Sequence, residues 1–108
     1  MQYVELFTDS ELVHIVEEGL IYMCACPAQV ADGLRKLREL YRYQLNCLQD
    51  PNNVSAVHQT IADSTIVAHA ELQECLTKVL VLEGWDRATL SMPEGLRKRQ
   101  MRELLSDD

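Results

Sequence analysis

Residues 54–85 read VSAVHQTIADSTIVAHAELQECLTKVLVLEGW, and the periodicity of this stretch decides the fold. No proline interrupts it. Positions alternating in steps of four and three carry Val54, His58, Ile61, Thr65, Ala68, Leu72, Cys75, Val79 and Leu82. That spacing predicts one long helix over 54–83 with a coiled-coil-like seam, interrupted by the polar His58 and Thr65. Gly84-Trp85 then reads as a left-handed stop, with Trp85 folding back on the helix end. The run Val79-Leu80-Val81-Leu82 wraps right around the helix, so a single stripe cannot cover it. The second face needs either the C-terminal helix or another subunit, and self-association, as a homodimer through Leu76, Val79 and Leu80, is the expectation.

Working towards the N-terminus, Asp50-Pro51-Asn52-Asn53 is a strong turn signal. Before it, Val30, Leu34, Leu37, Tyr41, Leu45 and Leu48 form a helical stripe that starts near Pro27. A first helix opens at the capping box Thr8-Asp9-Ser10-Glu11, with Phe7 and Leu12 spaced as its hydrophobic staple. Leu12, Ile15, Val16, Leu20 and Met23 carry its apolar face to about residue 25. Residues 1–7 are expected as an extended arm. Towards the C-terminus, Ser91-Met92-Pro93-Glu94 is a second capping box, opening a short basic helix over 92–105, and 106–108 should fray. Short connections make neighbouring helices antiparallel. The expected fold is all-α, an antiparallel up-down bundle of three main helices plus a short C-terminal helix, in a single domain over 1–108.

Composition agrees with a helical core. Of 108 residues 47% are hydrophobic and 25% charged, while aromatics and glycines are few. The net charge of −7 is unevenly spread: residues 1–26 carry acids and no Lys or Arg. An acidic chain repels nucleic acid at long range. The clusters Arg35, Lys36, Arg38, Arg42 and Arg97, Lys98, Arg99, Arg102 are local, and pairing with the acidic first helix is the simplest use for them. No apolar run approaches the roughly 20 residues of a membrane span, and the chain start lacks a signal-peptide pattern. A cytoplasmic protein with reduced cysteines is expected, with partners among proteins rather than nucleic acids or membranes.

Chemistry-bearing residues are sparse. In Cys24-Ala25-Cys26-Pro27 the proline disfavours helix at Cys26 and suits the first turn of the next helix. Cys26 is thereby expected at or beside an N-cap, where free N–H groups and the helix dipole suit a reactive thiol. Counting levels across the 50–53 turn puts Cys75 beside that junction, so Cys24, Cys26 and Cys75 are candidates for a thiol-based redox or metal-responsive site. Glu11-Leu12-Val13-His14 matches the Glu-x-x-His of di-iron bundles, and Glu18 and His69 could add ligands, but the second such motif is missing. No metal or other cofactor is therefore expected. His58 reads as a hydrogen-bonded structural histidine. Phosphate loops, dinucleotide fingerprints, nucleophile elbows and His-Glu-x-x-His are all missing from the sequence. The leading expectation is a non-enzymatic, self-associating or protein-binding helical module.

Overall fold

The computed structural model describes residues 1–21, 25–93 and 105. Cys24, most of the stretch expected as a C-terminal helix, and its basic residues Arg97, Lys98, Arg99 and Arg102 lie outside the described residues. Within them the chain is all-helical: α1 (Asp9–Ile21), α2 (Ala25–Leu48) and α3 (Ser55–Glu83) form a bundle in which α2 packs against both of the others.

Local signals set the helix ends. The Thr8 amide donates to Glu11 Oε1 at 2.8 Å while the Glu11 amide donates to Thr8 Oγ1 at 3.0 Å, a reciprocal capping box that starts α1. Phe7 and Leu12, the staple pair, are both fully buried. α2 is described from Ala25, so Pro27 lies within a helix with helical residues on both sides of it. Cys26, with Ala25 helical before it, is a helical residue and not itself an N-cap. At the end of α3, Gly84 adopts φ 78°, ψ 27°. Its amide donates to Val81 O at 3.1 Å and the Trp85 amide to Leu80 O at 2.9 Å. This pair of bonds is a Schellman motif, and Trp85 is buried in the core beside Leu80.

The core gathers Phe7, Leu12, Ile15, Ala31, Leu34, Leu76, Leu80, Trp85, Leu90 and Met92 at one end of the α2–α3 pair. α1 is 13 residues long and α3 is 29, about 20 Å against about 44 Å, so α1 covers less than half of α3's length. Gly33 gives α2 its close approach to α3: a Cβ there would stand 3.2 Å from Leu72 Cδ2. A hairpin closes beyond α3, with the Asp86 amide donating to Ser91 O at 3.1 Å and Leu90 held buried at φ 54°.

The buried face of α3 differs from the expected seam. It holds Ala62, Thr65, His69, Gln73, Leu76 and Leu80, while Val54, Ala68 and Leu82 are exposed. With half-buried His58 it repeats at 11 residues, through His69 to Leu80. That is the pitch of a helix with no left-handed supercoil, whereas a seven-residue seam demands one. Three polar side chains are thereby turned inward. A similar shift occurs elsewhere: Leu20 is exposed and Glu18 buried on α1, while on α2 Leu45 is exposed and Arg38 buried.

Candidate functional site

Turning Arg38, His69 and Gln73 inward creates the densest polar cluster among the described residues. The Arg38 side chain is 0% exposed, and an unpaired charge so deep would be prohibitively costly. Its guanidinium is satisfied on each nitrogen. Nε donates to His69 Nε2 at 3.0 Å, Nη1 to Asp9 Oδ1 at 2.8 Å, and Nη2 to Gln73 Oε1 at 3.1 Å. His69 Nε2 therefore serves as an acceptor, which requires a neutral ring. Burial, and then the Arg38 charge, hold its pKa below the ordinary histidine value. Asp9 is held below the usual carboxylate range by its hydrogen bond from Arg38, assisted by Arg42.

The N-terminal arm closes over this cluster. Gln73 Oε1 accepts the Leu6 amide at 2.8 Å, and Gln73 Nε2 donates to Val4 O at 2.8 Å, so one side chain clamps two backbone groups of the arm. Tyr3 stacks on Tyr41 at 4.2 Å between ring centroids and leans on His69 at 4.8 Å. Its hydroxyl donates to Glu5 and is pushed up in pKa by burial and by that carboxylate. Arg42 Nη2 reaches Glu5 Oε2 at 3.1 Å and Asp9 Oδ2 at 3.0 Å, and Arg87 reaches Leu6 O at 3.2 Å and lies over the Phe7 ring. The acidic N-terminal segment thus uses Arg38 and Arg42, while Arg35 and Lys36 pair with Asp32 on their own helix. The polar atoms of the cluster are committed to one another, and the arm covers them. Its chemistry is that of a structural lock.

The sequence-nominated residues are dispersed. Cys26 is exposed, while Cys47 and Cys75 are half-buried free thiols. Glu11 accepts from the Thr8 amide and from Arg87, and the backbone bond to Thr8 is the main cause of its lowered pKa. Glu18 accepts the Met92 amide at 3.1 Å, and His69 is occupied by Arg38. His14 keeps a buried Nε2 without a partner, beside a cleft of about 210 Å³ lined with Ser10, Glu11 and Thr89. Among the described residues no group of three His, Cys, Asp or Glu side chains is placed to hold a metal ion. His58 Nδ1 lies 2.6 Å from Gln44 Oε1 and donates to it. Leu76 and Leu80, nominated for self-association, are 0% and 2% exposed in the core of a single chain, which corrects that assignment. The inward turn of the 11-residue face consumes them, and Val79 is left half-buried at its edge.

Concavities lined by described residues include two between α1 and α2. The groove between α1 and α2 lined by Val16, Gly19, Leu20, Ala28, Gln29 and Asp32 holds about 290 Å³, and the cleft around Asp9, Arg35 and Arg42 about 180 Å³. Small-molecule sites begin at about 300 Å³, so neither encloses a sizeable ligand. Among the described residues no helix is long and apolar enough to cross a membrane. The chain matches no known protein family, no curated protein and no solved structure. On α3 the expected seam stays partly uncovered. Val54 is 64% and Leu82 85% exposed, with Ala68 open and Ile61, Cys75 and Val79 half-covered between them.

Proposed function

We propose that this chain is a non-enzymatic protein-interaction module of the cytoplasm that works by self-association. The observation that carries the reading is the apolar surface that α3 leaves outside the core of its own chain. Val57, Val67, Val81 and Leu82 on it are each more than half exposed. Apolar side chains left exposed along one helix are where a partner gains most by burial. In this reading the fold is an antiparallel up-down bundle completed by a short C-terminal helix. The pairing of Gln44 with His58 and of Gly33 with Leu72, in opposite order along α2 and α3, supports the antiparallel part. Multi-angle light scattering over a concentration series tests the function: a dimer is expected, and a monomer at high micromolar concentration overturns it.

A second reading, thiol-based redox or metal response centred on Cys26 with Cys24 and Cys75, is favoured by one observation. Among the described cysteines Cys26 is the exposed one, and access is what a reactive thiol needs. Alkylation at neutral pH should then label Cys26 well before Cys47 and Cys75. Equal, slow labelling of all three leaves these thiols as packing residues.

A further inference from the structure

The N-terminal arm and the polar cluster beneath it share one proton-sensitive contact. A guanidinium can only donate, so Arg38 Nε at 3.0 Å requires His69 Nε2 to carry no proton. His69 is 1% exposed, and charged groups stand around it on every packed element. α2 supplies Arg38 and Arg42, the arm supplies Glu5 and the phenol of Tyr3, and α1 supplies Asp9. Both carboxylates are already engaged. Asp9 accepts from Arg38 and Arg42, and Glu5 from Arg42 and Tyr3. A positive charge on His69 would therefore face the buried Arg38 with its lone pair gone and the nearest carboxylates taken. Burial and the Arg38 charge accordingly hold its pKa low.

The walls of this seat are held in different ways. Arg38 and His69 stand on helices of 24 and 29 residues. Residues 3–6 belong to no helix or strand. Their backbone is tied by side chains: Gln73 on Val4 O and the Leu6 amide, and Arg87 on Leu6 O. Gln73 Oε1 also accepts from Arg38 Nη2, so the clamp on the arm and the guanidinium share an atom. Tyr3 lies against His69 itself, with ring centroids 4.8 Å apart. We infer that the arm is a proton-gated strap: when His69 Nε2 takes up a proton, Arg38 Nε loses its acceptor, and residues 3–6 lift away to let water reach the imidazolium while the helices stay packed. The opening ends at Phe7, which is fully buried in the core, and at the Thr8 cap of α1. A solvated His69 titrates near the ordinary value of about 6.5, so protons favour the open arm below that pH and the closed arm is favoured above it. The strap works within one chain, whether or not the chain self-associates.

Amide hydrogen exchange on the full chain, read by NMR at pH 7.5 and 5.5 and corrected for the intrinsic rate at each pH, tests the strap. The Leu6 amide, bonded to Gln73 Oε1, reports the arm, and the Trp85 amide, bonded to Leu80 O, reports the core. Leu6 protection should fall about tenfold between the two pH values, as expected when the open state alone titrates near 6.5. Leu6 should also be far less protected than Trp85 at both, and insensitive to low urea, since a local opening exposes little surface. Equal protection and equal urea dependence of the two amides mean that the arm leaves only when the chain unfolds, and overturn the strap. So does Leu6 protection that holds or rises at pH 5.5, the result expected if the imidazolium is accommodated by Glu5 or the Tyr3 ring. His69→Gln, which can still accept from Arg38 but takes up no proton, should abolish the fall, and a fall that persists overturns the assignment to His69. The chain has three histidines, so His14→Gln and His58→Gln assign the proton by elimination should His69→Gln not fold. Both should keep the tenfold fall, and its loss in either overturns the proposal.

Discussion

Arg38 shows what a single side chain does in this fold. It joins Asp9 on α1 to His69 and Gln73 on α3 through three hydrogen bonds from a fully buried guanidinium. Arg38→Ala should cost about 2–4 kcal/mol, since it opens a cavity and strands His69 Nε2, and chemical denaturation at fixed protein concentration will measure it. The same network predicts a pH dependence. Burial lowers the folded-state pKa of His69, so the unfolded chain takes up that proton more readily. Its contribution is complete above about pH 6.5 and is lost as pH falls through that value towards the folded pKa. The thermal midpoint should fall between about pH 7.5 and 5.5, and His69→Gln should flatten the slope. Asp9 and Glu11, whose pKa values are lowered, act in a separate window below about pH 4. The sequence shows the acidic first helix and the basic second one, and so anticipates that Arg38 and Arg42 pair with it. It does not show the inward turn of His69 and Gln73. A polar side chain becomes a core residue only when its partners are in place, and these partners come from the arm, α1 and α2.

Helix ends are the most legible elements. Thr8 with Glu11, and Gly84 with Trp85, act through bonds a few residues long, so their geometry is written in the local sequence. Thr8→Ala should lower stability by about 1 kcal/mol. Gly84→Ala should cost a similar amount, about 1 kcal/mol, because a Cβ disfavours the left-handed φ of 78° there; urea titration reads both. The faces of the helices were less legible. A heptad of apolar residues on α3 outscores the polar 11-residue face by hydrophobicity alone, yet the latter lies against α2 and the arm. Two competing stripes on one helix look like one in a sequence. The structure separates them because α3 has an inside face, set by Gly33 against Leu72 and Arg38 against His69.

At the scale of the whole molecule, the chain is organised unevenly. Apolar burial concentrates where α1, the arm and the Trp85 hairpin meet α2 and α3, while Gln44 and His58 share the far end of the pair. If two copies associate through α3, the thermal midpoint should rise with protein concentration, as mass action requires of a dimer. Cys75, half-buried on α3, should be alkylated more slowly in concentrated protein than in dilute protein, while Cys26 should not change. Midpoints and labelling rates independent of concentration would argue for a monomeric working form.

The clamp of Gln73 on the arm also orders events during synthesis. Val4 and its Gln73 partner are 69 positions apart, and Leu6 and Arg87 are 81 apart. At roughly 5–20 residues per second, a ribosome takes about 4–16 s to go from Leu6 to Arg87. Until Gln73 is made the arm has no clamp, and until Arg87 is made Phe7 lacks its covering guanidinium, although α2 and its turn into α3 can already form. The first residues translated are therefore among the last to dock, and until Arg87 emerges a nascent chain exposes them to chaperones and to neighbouring copies on the same message.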